Sequence, residues 1–132
     1  MRVVIMGVSA ITASLVKILN KDEHHIVVID INENRFDKLP EDFKGEKVVG
    51  SGADLDIFKK INFNDHDAFL AATNSDNINI AATKLIKENF KCERVVKVVH
   101  DPMRAKAFAE VEEGVICPIL DAASCFRDKI IG

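Results

Sequence analysis

Six short runs rich in valine and isoleucine alternate with amphipathic segments along the chain, and this alternation constrains the fold more than any other feature. Runs that are almost continuously apolar are typical of strands buried on both faces, as in a parallel sheet flanked by helices. The pattern predicts strands at Arg2–Met6, Ile26–Asp30, Glu46–Val49, Ala68–Ala71, Val95–Val99 and Gly114–Cys117. It predicts helices at Ala10–Asn20, Glu33–Leu39, Leu55–Ile61, Asn77–Asn89, Met103–Val111 and Ile119–Ile131. With right-handed crossovers, the result is a doubly wound α/β fold with a six-stranded parallel sheet in the order 3-2-1-4-5-6.

The turn after the first strand reads Gly7-Val8-Ser9-Ala10-Ile11-Thr12, which keeps only the first glycine of a dinucleotide-binding G-x-G-x-x-G motif. In a three-layer Rossmann-like fold, this turn opens a helix whose free N–H groups and dipole attract a phosphate. Ser9 replaces the glycine that lets a phosphate approach, and its hydroxyl can cap the helix or donate to a phosphate oxygen, with capping favoured. Gly7, Val8, Ser9, Ala10 and Ile11 are therefore candidate ligand contacts.

Asp30 ends the second predicted strand, where an acidic residue can accept hydrogen bonds from the hydroxyls of a ribose. Its charge would repel a 2′-phosphate, so NADP is a disfavoured ligand. The alternative is a solvated carboxylate that caps the helix after Asn32. We favour the ligand role for Asp30 and include the following Ile31 in the candidate site.

Two further segments follow strand ends at the edge of the sheet where ligands bind in such folds. The stretch Gly50–Ala53 offers backbone at Ser51, Gly52 and Ala53 that can wrap an adenine, or it is a plain turn before a helix. The polar cluster Thr73–Asn79 opens the next helix. An N-cap at Ser75 or Asp76 explains part of this cluster, and the side chains of Thr73 and Asn74 are expected to face the ligand.

Composition narrows the class of protein. The 132 residues are 48% hydrophobic and 30% charged, which fits one globular domain, and the net charge of −3 with dispersed Lys and Arg argues against nucleic acid as a partner. Three cysteines without CxxC spacing indicate a reducing compartment and no zinc site. No apolar run reaches the roughly 18 residues that a membrane span needs, so we expect a soluble, cytoplasmic protein without direct membrane insertion.

No set of residues suggests catalysis. The four histidines, at positions 24, 25, 66 and 100, have no spacing typical of metal binding, and each is interpreted as a surface residue. A dehydrogenase would also need a substrate domain and a placed acid or base. The sequence therefore predicts a binding protein rather than an enzyme, with His100 alone close enough to a strand end to contact a ligand.

The order of these motifs resembles the regulator-of-potassium-conductance domain, also called RCK-N, KTN or TrkA-N. The resemblance rests on the glycine turn, Asp30, Val48-Val49-Gly50, and the run Ala72-Thr73-Asn74-Ser75-Asp76-Asn77-Ile78-Asn79. It continues through Arg94–Pro102 and Gly114–Pro118, and so covers nearly the whole chain. The family implies a cytoplasmic regulatory subunit that binds an adenine nucleotide, either NAD(H) or AMP, ADP or ATP, and gates a separate membrane potassium transporter or channel.

Carried over by position, the resemblance implies contacts from Gly7, Ser9, Asp30, Thr73 and Asn74. Three positions depart from the family pattern, which commonly has Arg at Ala10, Asp at Ser51 and Arg at Lys97. Each charge-assisted hydrogen bond lost weakens binding by about 1.5–3 kcal/mol, and Lys97 keeps a charge without the bidentate fork. The resemblance therefore implies a nucleotide site with weak or altered preference.

The last predicted helix carries apolar residues on two sides, with Ile119, Ala123, Phe126 and Ile130 on one and Leu120 and Ile131 on another. The helix can close over its own sheet. In the family it packs on a neighbouring subunit, which implies a homodimer and in some members an octameric ring. We expect a single-domain regulator over residues 1–132, associated with the membrane through its partner. Two alternatives are an interaction module with a degenerate nucleotide site and an NAD(P)-binding fragment of an oxidoreductase.

Overall fold

The computed structural model describes all residues from 1 to 132 and contains one six-stranded parallel sheet. The strands lie in the order β3-β2-β1-β4-β5-β6, which confirms the predicted topology. Their bounds are β1 Arg2–Met6, β2 His25–Asp30, β3 Glu46–Val49, β4 Ala68–Ala71, β5 Arg94–Val98 and β6 Val115–Ile116. The α-helices are α1 Ala10–Lys21, α2 Leu55–Ile61, α3 Asp76–Asn89, α4 Pro102–Ala109 and α5 Pro118–Ile131.

Most predicted elements agree with the structure to within one or two residues, and two differ in kind or length. The segment Glu33–Lys38 is a 3-10 helix rather than an α-helix, and it begins where the Asn32 side chain accepts the Asn34 N–H at 3.0 Å. It ends before Pro40, because a residue that precedes proline is disfavoured in helical geometry, and Leu39 is extended. The strand predicted at Gly114–Cys117 is shorter, covering only Val115–Ile116.

The sheet divides the apolar core into two layers, because alternate side chains of each strand point to opposite faces. On one face Val4, Ile29 and Phe69 pack with helices α2 and α3 through Phe58 and Ile86. The other face carries a smaller cluster against α1 and the 3-10 helix: Val3, Ile5, Val8, Val16, Ile26, Val28, Phe36 and Leu39. Burial on both faces explains why the central strands read as continuous apolar runs.

Backbone hydrogen bonds beyond the strand ends gather four loops at one edge of the sheet. The N–H of Gly7 donates to the carbonyl of Ile29 at 2.8 Å, and the N–H of Ala72 donates to the carbonyl of Met6 at 2.8 Å. The N–H of Gly50 donates to the carbonyl of Asp30 at 3.1 Å. The loops after β1, β2, β3 and β4 therefore meet where the strand order reverses, which is where such sheets bind ligands.

Helix α5 lies outside this core, since none of its residues is buried. Phe126 is 66% exposed and Ile130 82% exposed. Beside its start, an open groove of about 980 Å³ crosses the face of β4, β5 and β6 next to α1, and its walls include Leu15, Leu70 and Ile116. None of the helices has the length and apolar character needed to span a bilayer.

Candidate functional site

A cleft of about 220 Å³ lies between the four loops at the carboxyl ends of β1 to β4. It brings together seven of the residues predicted from sequence: Gly7, Asp30, Ile31, Ser51, Gly52, Thr73 and Asn74. Met6, Ile29 and Ile78 add apolar walls, so the cleft offers a hydrophobic surface with polar groups at its edges. This combination is typical of small-molecule sites.

Gly7 is the one glycine of the first turn that the geometry requires. Its φ of +101° lies where residues with a side chain are rarely found, and a Cβ there would lie 2.5 Å from the carbonyl oxygen of Ala72. The turn therefore passes directly against the end of β4, as the first glycine of a nucleotide-binding turn does.

Ser9 and Thr12, which replace the other two glycines, form a capping box. The Ser9 N–H donates to Thr12 Oγ1 at 2.8 Å, and the Thr12 N–H donates to Ser9 Oγ at 3.3 Å. The Thr12 hydroxyl also donates to the carbonyl of Gly7 at 2.8 Å. The capping interpretation of Ser9 is therefore what the structure shows, and the turn is braced by side chains.

The remaining residues of that turn do not face the cleft. Val8 is buried in the core, and its N–H donates a hydrogen bond to Asp30 Oδ2. Ser9, Ala10 and Ile11 line the neighbouring apolar groove. Ala10 and Ile11 nevertheless belong to the first turn of α1, whose N–H groups an α-helix does not pair internally and which can attract an anion.

Asp30 is buried, with 3% of its surface exposed, and its two oxygens have different partners. Oδ2 accepts the N–H of Val8 at 2.9 Å and Oδ1 accepts the N–H of Asn32 at 2.8 Å. The alternative in which Asp30 is a solvated helix cap is wrong, because the carboxylate is buried and Asn32 itself caps the 3-10 helix. Each oxygen keeps a further lone pair, so Asp30 can still accept from a ligand.

The loop after β3 forms the opposite wall. Gly52 is buried against Met6 and Ile78, and a Cβ there would lie 2.3 Å from the Met6 sulfur. The Ser51 hydroxyl accepts the N–H of Ala53 at 3.2 Å, which closes a tight turn. Ser51 and Gly52 line the cleft, whereas Ala53 is exposed and borders a shallower depression beside Asp54.

The loop after β4 is fixed by Asn79, a residue for which the sequence suggested no individual role. Its Oδ1 accepts the Thr73 N–H at 2.9 Å and the Thr73 hydroxyl at 2.7 Å. Its Nδ2 donates to the carbonyls of Thr73 at 3.1 Å and Val98 at 2.9 Å. Thr73 therefore lines the cleft with a hydroxyl already engaged, while Asn74 is exposed at the rim.

A second set of hydrogen bonds ties the same loop to the end of β5. The Asp76 carboxylate accepts the N–H of His100 at 2.6 Å and the N–H of Asp101 at 3.0 Å. Burial opposes its ionisation, but these two hydrogen bonds and the nearby positive charges outweigh that effect and hold the pKa of Asp76 below its ordinary value. His100 Nε2 lies 3.1 Å from the carbonyl of Thr73. His100 is thus a structural neighbour of the cleft and lines the groove instead.

Lys97 does not line the cleft, whereas the resemblance implied a charged ligand contact at this position. Its side chain is only 6% exposed, its Nζ pairs with Glu112, and it lies 4.5 Å from the centre of the Phe108 ring. Its hydrogen bond to the Glu112 carboxylate lowers the pKa of that group, against the opposing effect of burial. The basic residue that does line the cleft is Arg35, whose Nη1 lies 3.9 Å from Asp30 Oδ2. Arg35 lies in a 3-10 helix outside every motif, so no sequence pattern indicated a role for it.

Comparison with known proteins gives a consistent family. The model of the TrkA-N domain matches residues 3–118. The Trk system potassium uptake protein TrkA of Streptomyces coelicolor is 33% identical over 108 residues, which are 82% of this chain and 48% of the relative. The chain spans about half the length of this relative and of two further curated relatives, from Pyrococcus abyssi and Pyrococcus horikoshii.

Solved structures share the fold at low sequence identity. The NAD(P)-binding domain of an exopolyphosphatase-related protein from Archaeoglobus fulgidus superposes with a TM-score of 0.78 at 19% identity, covering 97% of this chain and 96% of that one. The GsuK channel bound to NAD superposes with a TM-score of 0.71 at 21% identity, covering 89% of this chain and 21% of that one.

Proposed function

The chain belongs to the TrkA-N domain family, and we propose that it binds an adenine nucleotide in the cleft beside Asp30 and regulates potassium uptake through a separate membrane protein. The relatives named as Trk system potassium uptake proteins support the transport role. The NAD bound to the GsuK channel supports the class of ligand.

The buried position of Asp30 at the cleft is the observation that carries this proposal. Its carboxylate is oriented by two backbone N–H groups before any ligand arrives, so a ribose hydroxyl meets a fixed acceptor. The apolar side chains of Ile31, which is 72% exposed, and of the partly buried Ile78 suit the faces of an adenine ring. The cleft holds an adenosine moiety, and phosphates attached to it extend over the Gly7 turn toward the start of α1.

Phosphate binding is the weaker part of this site. Ala10 provides no side-chain donor, and Lys97 is held by Glu112, so neither position supplies a charge-assisted hydrogen bond. Each such bond is worth about 1.5–3 kcal/mol, and the N–H groups of the first turn of α1 replace only part of it. We therefore expect affinities governed mainly by the adenosine moiety.

Helix α5 supports an assembly of several copies. Ile119, Phe126 and Ile130 are 56%, 66% and 82% exposed, and an apolar face of this kind is costly in water unless a partner covers it. We propose that α5 packs on a second copy to form a homodimer, with an octameric ring as the larger assembly. The protein then works in the cytoplasm, bound to the membrane through its transporter partner.

A thermal-shift panel tests the ligand. The unsubstituted chain is heated with NAD, NADH, AMP, ADP, ATP and cyclic nucleotides, and a ligand at 100 times its Kd stabilises the fold by about 2.7 kcal/mol. The panel is repeated with Asp30→Ala and with Asp37→Ala, an exposed carboxylate on the neighbouring 3-10 helix outside the cleft. Each variant is compared with its own ligand-free melting temperature, because Asp30 also stabilises the fold. Equal shifts in all three proteins would remove Asp30 from the site.

One alternative has a specific observation in its favour. The absence of available basic side chains at positions 10 and 97 fits an interaction module whose nucleotide site no longer binds. That protein would show no shift with any nucleotide in the panel and would still associate through α5. A hydride-transferring fragment is the other alternative, and turnover of a nicotinamide cofactor with any substrate would favour it.

A further inference from the structure

Arg35 is the only basic residue in the walls of the cleft. It lies on the 3-10 helix that follows β2, and its side chain is 37% exposed. Its Nη1 is 3.9 Å from Asp30 Oδ2, which is longer than a hydrogen bond. The two groups therefore face each other across a gap with their directional bonding capacity partly unused.

The fold does not require a guanidinium at this position. Phe36 and Leu39 anchor the 3-10 helix in the core, and the Asn32 side chain caps it. Asp30 does not depend on Arg35, because its oxygens accept the N–H groups of Val8 and Asn32. A loose, partly exposed ion pair contributes little to stability.

The gap between the two groups has the chemistry of a hydroxyl site. An ionised carboxylate only accepts hydrogen bonds and a guanidinium only donates them, whereas a hydroxyl does both. An oxygen atom placed in the gap can donate to Asp30 Oδ2 and accept from Arg35 Nη1, since the 3.9 Å separation leaves room for two hydrogen bonds of ordinary length that meet at one oxygen.

We propose that Arg35 is a specificity-determining contact that, together with Asp30, holds one ribose hydroxyl and so selects ribonucleotides over their deoxy analogues. This inference rests on the proposed adenine-nucleotide function and adds a residue and a selectivity to it. A deoxy analogue leaves both charged groups without their shared partner, and sites that hydrogen-bond a substrate hydroxyl discriminate strongly against analogues that lack it.

The test is a binding cycle that varies the protein and the ligand together. Dissociation constants for AMP, 2′-deoxy-AMP and 3′-deoxy-AMP are measured by titration calorimetry with the unsubstituted chain, Arg35→Ala and Arg35→Lys. Lys38→Ala is the matched control, because Lys38 is an exposed cation on the same helix and lies outside the cleft. The melting temperature of each variant without nucleotide checks the fold.

We expect the unsubstituted chain to bind one of the two deoxy analogues roughly tenfold to a hundredfold more weakly than AMP. Arg35→Ala should weaken AMP binding by a similar factor while changing the binding of that analogue little. Arg35→Lys should retain part of the preference, because an ammonium keeps the charge without the guanidinium fork. Lys38→Ala should bind all three ligands as the unsubstituted chain does.

Two results would overturn the inference while leaving the proposed function intact. If Arg35→Ala weakens AMP and both deoxy analogues equally, Arg35 contacts the phosphate or the base instead of a hydroxyl. If Arg35→Ala binds AMP with unchanged affinity, the Arg35 side chain does not contact the ligand. Failure of the unsubstituted chain to bind NAD or any of the adenine nucleotides would instead refute the proposed function, and the inference with it.

Discussion

Replacing Asn79 by leucine should destabilise the fold and the site together. The side chain is fully buried and bridges Thr73, just past the end of β4, to Val98 at the end of β5. Leucine has nearly the same size and shape, so the substitution removes the hydrogen bonds without opening a large cavity. Any loss of stability then measures the hydrogen bonds and not packing.

The size of the expected stability loss depends on which groups keep another hydrogen-bond partner once Asn79 is gone. The Thr73 carbonyl retains His100 Nε2 at 3.1 Å, and the Thr73 hydroxyl retains the carbonyl of Ser75 at 3.2 Å. The Thr73 N–H and the Val98 carbonyl have no other side-chain hydrogen-bond partner, so both lose theirs when Asn79 is replaced. Leaving the buried Val98 carbonyl and the partly buried Thr73 N–H unpaired costs about 1–3 kcal/mol each, with the N–H at the lower end, so we expect Asn79→Leu to lower the free energy of unfolding by about 2–4 kcal/mol.

Urea denaturation followed by far-ultraviolet circular dichroism measures this change, since the chain has no tryptophan or tyrosine for fluorescence. Asn77→Leu is the control, because Asn77 lies on the same helix and bonds only Arg104 at the surface, at 3.0 Å. The control should change stability by about 0.5 kcal/mol or less. A loss below about 1 kcal/mol for Asn79→Leu would show that the amide is dispensable and that loop 73–75 is held by other contacts.

Three further substitutions test the turn, the acid response and the assembly. Gly7→Ala should lower the free energy of unfolding by about 2–4 kcal/mol in the same urea assay, because a Cβ at φ +101° would lie 2.5 Å from a backbone oxygen; a change below about 1 kcal/mol would contradict the close approach of turn and strand. The lowered pKa of Asp76 means that its stabilisation is complete above the unfolded-state pKa of about 3.9 and is lost as the pH falls through the lower folded-state value. Acid titration should therefore show a shallower loss of stability below about pH 4 in Asp76→Asn, and an unchanged slope would refute the role of this carboxylate. Phe126→Asp should shift the assembly to smaller species in light scattering after size exclusion, whereas Lys129→Asp, on the same exposed helix, should keep more of the assembly; identical masses for Phe126→Asp and the unsubstituted chain would remove Phe126 from the interface.

The central strands and the strand order could be read from the sequence because burial on both faces leaves a strong local signal. The predictions of element type and length are wrong where contacts between segments, and not the local sequence, determine the conformation. Strand β6 pairs with β5 alone and runs directly into α5, whose N-cap is Cys117 and whose first residue is Pro118, so the strand ends at Ile116. The predicted helix at Glu33–Leu39 is one residue shorter and has 3-10 geometry, and it ends at Lys38 because Pro40 holds Leu39 in an extended conformation.

Some residues of the candidate site could likewise be identified from local sequence, and others depend on contacts between distant segments. Asp30 was identifiable because it ends a strand at a position set by topology. Lys97 was misplaced because its partner, Glu112, lies in a distant turn that no local pattern connects to β5. Arg35 was missed because the direction of its side chain depends on the 3-10 geometry and not on sequence spacing.

The charges of the cleft explain how an eroded glycine motif is compatible with a nucleotide site. Asp30 and Arg35 carry opposite charges in one small space, so the cleft itself is close to neutral and suits the uncharged adenosine portion of a ligand. Ser9 and Thr12 use their side chains to hold the turn, where glycines would have opened it to a pyrophosphate. For the proposed adenine-nucleotide ligand, we therefore expect selectivity to depend on hydroxyl groups and ring faces, with phosphates contributing through the start of α1. If the chain is the nucleotide-dependent regulator that we propose, we expect it to respond more to which nucleoside is present than to how many phosphates that nucleoside carries.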